Sequence, residues 1–258
     1  MVYDVYASGF KAVQATLTID LNTPKAYSLN LHARTQGVLG KIVPWTGTFS
    51  SNGWRTQNDA LTVKQHESIG TWKGETEVKT YSYNQNKTFK SLVIKDHDKP
   101  AETKTVKPEL TDGTTDVLTA TLNVLNTIAS GQSCDSSAEI FDGKRRFQQI
   151  FKHQKNEPLA KTRYNIYEGQ TQRCTVEVKP IAGKWHDKPR GWLSIQEQGR
   201  NKGTIPTVWM ATITEGQPAV PVKVMVKTNY GAFVMHLAEY KNGEDVRIAE
   251  KRIKYEQK

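Results

Sequence analysis

Three of the six histidines in this 258-residue chain stand beside carboxylates: His97 between Asp96 and Asp98, His186 before Asp187, and His66 before Glu67. A histidine next to an acid can relay a proton or help hold a metal. Each of these pairs sits in a polar loop or on a polar strand, where simple solvation explains it. The signatures that would raise the stakes are absent. There is no Gly-rich phosphate loop ending in Gly-Lys-Ser/Thr, no Gly-x-Ser-x-Gly elbow and no His-Glu-x-x-His. The only cysteines, Cys134 and Cys174, are too few for a zinc site, and no histidine spacing completes one. They fit either a disulfide in an oxidising compartment or two buried thiols in a cytosolic protein. The sequence therefore assigns no catalytic residue, no metal ligand and no cofactor, and the expectation is a protein that is not an enzyme.

Aromatic residues lie among basic ones at Tyr164, Tyr167, Trp185 and Trp192, near Arg163, Lys179, Lys184, Lys188 and Arg190. Bases stack on aromatics in basic grooves, but aromatics are also ordinary strand and core residues. No RNA-binding signature is present, so no nucleic-acid partner is expected. The formal net charge of +10 is spread along the chain, with no basic tail. It serves solubility, or attraction to an anionic partner such as lipid headgroups or envelope polysaccharide.

The elements that would carry these residues are mostly strands. An apolar fraction of 36% is low for a globular chain, and suits a sheet with one wet face. Val13, Ala15, Leu17 and Ile19 alternate with polar residues, and Tyr27, Leu29, Leu31 and Ala33 do so again, which predicts an antiparallel hairpin within an opening segment from Val2 to Asp20 and beyond. Gln36 to Trp45 reads as a short helix or an apolar loop. Asn52-Gly53 and Asp142-Gly143 are hairpin-turn signals. A further hairpin is expected from Tyr164–Tyr167 through Glu168-Gly169 to Arg173–Lys179. Asp96 to Asp112 reads as a loop, and Asn242-Gly243 as a turn into a strand over Val246–Tyr255. One helix is expected over about 116–129. It has two apolar stripes (Leu118, Leu122, Leu125 and Ala129; Val117, Ala120, Val124 and Ile128), with Thr114 or Thr115 as cap and Gly131 as stop. Its wide apolar surface predicts cover on more than one side. No run is long enough to span a membrane as a helix. With no repeat and no clear boundary, residues 1–258 are expected to form one β-rich domain.

One stretch is more specific: Cys134, then Ile140-Phe141-Asp142-Gly143-Lys144-Arg145-Arg146-Phe147, then Tyr167-Glu168-Gly169, Cys174 and Pro180-Ile181-Ala182-Gly183. It resembles an uncharacterised family of exported proteobacterial proteins, a domain of unknown function with a Cys, an FDG-x-RRF hairpin, a Y-x-G turn, a second Cys and a P-I-A-G segment. The likeness extends to the helix before Cys134, to Thr35-Gln36-Gly37 through Trp54, and to Val220-Pro221-Val222 and Tyr230-Gly231. The resemblance implies a periplasmic protein whose signal peptide has been removed, and favours the Cys134–Cys174 disulfide. It also implies a long curved antiparallel sheet, a β-spiral or open barrel, wrapping one central α-helix. That shape is similar to Lol-type lipoprotein carriers and β-spiral envelope-integrity proteins.

The expected function is a non-enzymatic periplasmic protein supporting the cell envelope by binding a lipid, another apolar ligand or an envelope partner protein. It would be monomeric and able to touch the membrane peripherally. The residues expected to line a cavity are Val38, Leu39, Ile42, Trp45, Trp54, Leu118, Leu122 and Leu125; packing of the core is the competing explanation for them. An envelope hydrolase with an unrecognised site, or a purely structural module, are the alternatives.

Overall fold

The computed structural model of the chain describes residues 1–56, 60–185, 192–201, 204–228 and 231–256. The N-terminal part runs β1 (Val2–Ala7), β2 (Phe10–Asp20), β3 (Ala26–Thr35), α1 (Gly37–Ile42), β4 (Trp45–Arg55), β5 (Leu61–Trp72), β6 (Glu75–Tyr83), β7 (Phe89–Asp96) and β8 (Glu102–Lys104). After α2 (Pro108–Thr111) and α3 (Val117–Ala129) come β9 (Ser136–Phe141), β10 (Arg145–Leu159), β11 (Gly169–Gly183), α4 (Trp192–Asn201), β12 (Thr207–Ala211), β13 (Val220–Thr228), β14 (Gly231–Asn242), β15 (Asp245–Ile248) and α5 (Glu250–Glu256).

Among the described residues, all the strands join one fifteen-stranded sheet in the order β8-β7-β6-β5-β4-β3-β2-β1-β14-β13-β12-β11-β10-β9, with β15 paired to β14 off this path. The pairings are antiparallel. The sheet is open, and its two wings meet where β1 pairs with β14. Its ends, β8 and β9, are consecutive in the chain yet lie at opposite edges. The connection between them carries α3 across the inner face.

That face explains why α3 is a helix. Leu122, Val124, Leu125 and Ile128 pack with Tyr27 and Leu29 from one wing and with Phe151, Val208 and Met210 from the other. Asp116 caps the start by accepting from the Leu118 and Thr119 amides, and Thr114 instead donates to the Thr111 carbonyl. At the stop Gly131 is left-handed at φ 82°. Its amide bonds Ile128 O, and the next amide bonds Thr127 O, which satisfies two carbonyls that the helix end would leave open.

The C-terminal wing is covered on its other face as well. Tyr3, Ile166, Tyr167, Trp209, Val222, Leu237, Tyr240 and Ala249 form a second core, built by the 160–168 loop and the start of α5. All five residues of β12 are buried, as a strand covered on both faces requires.

Several local expectations change. The opening segment is two strands, because Ser8 and Gly9 both take positive φ (48° and 88°) and reverse the chain. Asn52-Gly53 is not a turn. Gly53 lies inside β4 at a register shift, where a Cβ would come within 2.0 Å of Thr62 O. The strand keeps its neighbour close because glycine is there. Residues 160–168 link β10 to β11 without joining the hairpin. The 96–112 loop holds β8 and α2, and Val246–Tyr255 becomes a short strand followed by α5. Asp142-Gly143 does turn β9 into β10, with Gly143 at φ 90°, and residues 37–42 are helical.

Cys134 and Cys174 form a disulfide with Cα atoms 6.7 Å apart, inside the span a bridge allows. Both cysteines are fully buried in the α3 core. Gln172 supports the bridge by accepting from the Cys134 amide at 3.0 Å and donating to Gln132 O at 2.7 Å. The bond ties the end of α3 to β11. Two predictions follow from this packing. Denatured, unreduced protein is expected to show no titratable thiol, and Cys134→Ser/Cys174→Ser is expected to lose about 4 kcal/mol in urea unfolding. Gly53→Ala is expected to lose about 1–3 kcal/mol, since β4 and β5 must separate to admit the methyl group.

Candidate functional site

A buried polar cluster inside the sheet joins Ser51, His66 and Asp116, three residues that sequence reasoning did not bring together. Ser51 lies on the inner face of β4 opposite His66 on β5, and Asp116 stands at the head of α3. The Ser51 hydroxyl donates to Asp116 Oδ1 at 2.7 Å. Its single proton is thereby used, so at 2.8 Å it accepts from His66 Nδ1. Asp116 Oδ1 also takes the Leu118 and Thr119 amides at 2.9 and 3.0 Å, and Oδ2 takes the Thr119 hydroxyl. Thr119 is bonded in turn to the Tyr27 hydroxyl at 2.6 Å.

These are the residue types of a hydrolytic triad, but the arrangement does other work. In a triad the histidine uses one ring nitrogen for the serine and the other for the acid. Here Ser51 and Asp116 both face Nδ1, at 2.8 and 3.4 Å. Ser51 and Asp116 are 1% and 2% exposed, which leaves no approach for a substrate. The cluster is a buried helix cap. Burial pushes the Asp116 carboxyl pKa upward, but the hydrogen bond and charge of His66, with the hydroxyls of Thr119 and Ser51, outweigh it and hold the pKa below the ordinary carboxylate value. His66 is buried and packs on Tyr81 at 5.3 Å, so the expectation of a solvated strand histidine is corrected. The sequence alternation hides it: Leu61 and Val63 are out of phase with His66, and only the register shift opposite Asn52 and Gly53 brings the ring to their side of β5.

The other histidine–acid pairs stay plain. His97 occupies an exposed turn, with Nε2 3.1 Å from Asp98 Oδ2. His186-Asp187, Lys188, Arg190 and Tyr230 lie outside the described residues, as does the side chain of Trp192. Among the described residues no group of three His, Cys, Asp or Glu is placed to hold a metal.

The residues expected to line a cavity are dispersed. Leu122 and Leu125 are sealed in the core, with Leu118 packed against it. Trp45 and Trp54, at the two ends of β4, are half-buried. Val38 and Ile42 on α1 point into solvent, and Val38 and Leu39 line an open cleft with Phe10 and Phe233.

A second cleft, of about 780 Å³, lies at the seam between the wings. Leu92, Ile94, Val106 and Leu110 supply its apolar lining. Lys79, Lys104, Lys107, Lys144, Arg145 and Lys184 surround it, against Asp142 and Glu109. The seam is held by Thr115, whose amide bonds Glu139 O and whose carbonyl accepts from the Phe141 amide (2.9 and 3.2 Å). Tyr81 adds a bond to Asp142 O at 2.9 Å, and Phe141 packs edge-on against Tyr81 and Phe89. The motif residues of the sequence are parts of this wall. Asp142 accepts the Lys144 and Arg145 amides and pairs with the Arg145 guanidinium. Gly183, at φ 94° opposite Arg145, has Lys144 O only 2.5 Å from where a Cβ would stand.

Fold and cleft together define an open, helix-filled β-barrel with a basic groove along its seam. The chain belongs to the family described as protein of unknown function (DUF3108), which matches residues 2–238. A solved structure, described as a beta-barrel-like protein of domain of unknown function DUF1849 from Brucella abortus, is similar at 10% identity and a TM-score of 0.49, over 91% of this chain and 93% of that one. No curated protein matches the chain.

The cap makes a signed prediction. Asp116 titrates lower in the folded chain than the roughly 3.9 of an unfolded one. Its contribution is therefore complete above about pH 4 and is lost as pH falls through the folded value. Asp116→Ala is expected to cost about 3 kcal/mol or more, because a helix cap goes and several buried donors lose their acceptor. Urea unfolding across the acid range is expected to show a flatter pH dependence in the variant.

Proposed function

We propose that the protein is a non-catalytic periplasmic binding protein that holds an anionic amphiphile, a lipid or acyl chain with an acidic head, in the seam groove. The observation that carries this reading is the pairing of an apolar lining with a basic surround in a cleft of about 780 Å³, a size typical of small-molecule sites. The apolar side chains suit an acyl chain, and the cations suit its headgroup. Several of those cations already have acidic partners, Lys79 with Glu77, Lys104 with Glu102 and Arg145 with Asp142. The Cys134–Cys174 disulfide supports an oxidising compartment, and the burial of the Ser51–His66–Asp116 cluster supports a binding role over hydrolysis.

Native mass spectrometry of protein taken from its own compartment is expected to show a retained acidic lipid. A fluorescent fatty acid is expected to bind saturably and to be displaced by anionic rather than zwitterionic lysolipids. Lys104→Glu/Lys144→Glu is expected to weaken binding about tenfold or more by reversing the charge at the head. Absence of saturable binding, or equal binding by the charge-reversed variant, sinks the proposal.

A further inference from the structure

One end of the sheet carries an apolar surface that the groove does not use. Ala7 pairs with both Phe10 and Phe233, so the β1–β2 turn lies beside the start of β14. The α1 connection joins β3 to β4 at the same end, and β4 begins with Trp45 opposite Trp72, next to the Lys73-Gly74 turn. Phe10 is 77% exposed, Val38 68%, Ile42 69% and Trp72 46%. α1 buries none of its residues, although Val38, Leu39 and Ile42 are the kind of chain a short helix normally turns inward. Phe10, Val38, Leu39 and Phe233 share an open cleft of about 790 Å³. Single exposed apolar residues are ordinary, but a contiguous group on turns marks an interaction surface.

Charge selects the partner. Residues 8–11, 34–45 and 71–74 contain Lys11, Arg34, Lys41 and Lys73 and no Asp or Glu; Glu75 is the first acid beyond them. Arg34, Lys41 and Lys73 are exposed, whereas Lys11 is engaged by Asp4 at 2.7 Å. Outward apolar tips ringed by cations match the interface of an acidic bilayer, where the tips enter the acyl boundary and the cations meet headgroup phosphates. A second copy is a poorer fit, because a two-fold contact through this surface opposes the same cations to one another.

We propose that this rim docks the protein onto an anionic lipid bilayer. The docking rests on its own residues and does not require the seam groove to hold a ligand. Cosedimentation is expected to show binding to phosphatidylglycerol vesicles, weakening with salt, and little binding to phosphatidylcholine vesicles. Phe10→Ser/Ile42→Ser is expected to lower the affinity for acidic vesicles about tenfold or more, with an unchanged thermal transition and unchanged fatty-acid binding in the groove. Val246→Ser, an exposed apolar residue on β15, is the control and is expected to leave vesicle binding as it was. Wild-type affinity retained by the rim variant would reduce the attachment to net charge and overturn the proposal. So would no binding to acidic vesicles, or a dimer that the rim variant converts to monomer in sedimentation equilibrium.

Discussion

The first and last strands of this open sheet are consecutive in sequence, and the buried carboxylate of Asp116, in the segment between them, is where the two wings are tied together. Its neighbour Thr115 pairs with the free edge of β9. Asp116 itself starts α3 and bonds Ser51 in the opposite wing. One short segment thus orients the helix, covers an edge and joins the wings. A buried carboxylate is costly unless its oxygens are satisfied. Here two amides, two hydroxyls and a histidine meet that requirement. At Ile140 the edge of β9, a hazard for aggregation where it is left bare, is covered by the Thr115 bridge.

The helix then decides what the barrel can hold. Leu122, Leu125 and Ile128 fill the inner face between the wings, and Asn123 accepts the Leu61 amide while donating to its carbonyl (2.9 and 3.2 Å), as a neighbouring strand would. The open space lies instead at the seam, in the cleft lined by residues of β7, α2 and the β9–β10 turn. The disulfide fixes the far end of α3 to β11, so the plug is anchored at both ends.

Periodic features were legible in the sequence. The alternation of Leu17, Ile19, Leu29 and Leu31 defines the β2–β3 pairing, the two stripes and Gly131 define α3, and Asp142-Gly143 defines the β9–β10 turn. The resemblance favoured the pairing of Cys134 with Cys174 and pointed to the curved sheet around a helix. What escaped was set by tertiary context. Gly53 carries a turn signal, but the close approach of Thr62 O makes it a strand glycine. Ser51 is one hydroxyl in a polar strand, and only the rolling of the sheet brings it to an aspartate 65 positions away. Val38 and Ile42 show helical spacing, yet α1 is too short and too peripheral to reach a core. They were expected to line a cavity; both are exposed, and Val38 lies along the open cleft it shares with Phe10 and Phe233.

The strand register also links the two surfaces. Arg145 pairs with Gly183 at the top of β10 and β11. The pairings continue through Thr175 and Thr207, Thr207 and Met225, and Thr228 and Gly231 to Phe233 opposite Ala7. The Asp142–Lys144 turn on the groove wall therefore sits at the same end of the sheet as Phe10 and α1. In an open barrel that end is where hairpin turns, rather than paired backbone, face the surroundings, so side chains there can change without disturbing the ladder. The basic groove and the basic, apolar-tipped rim share that one end of the fold.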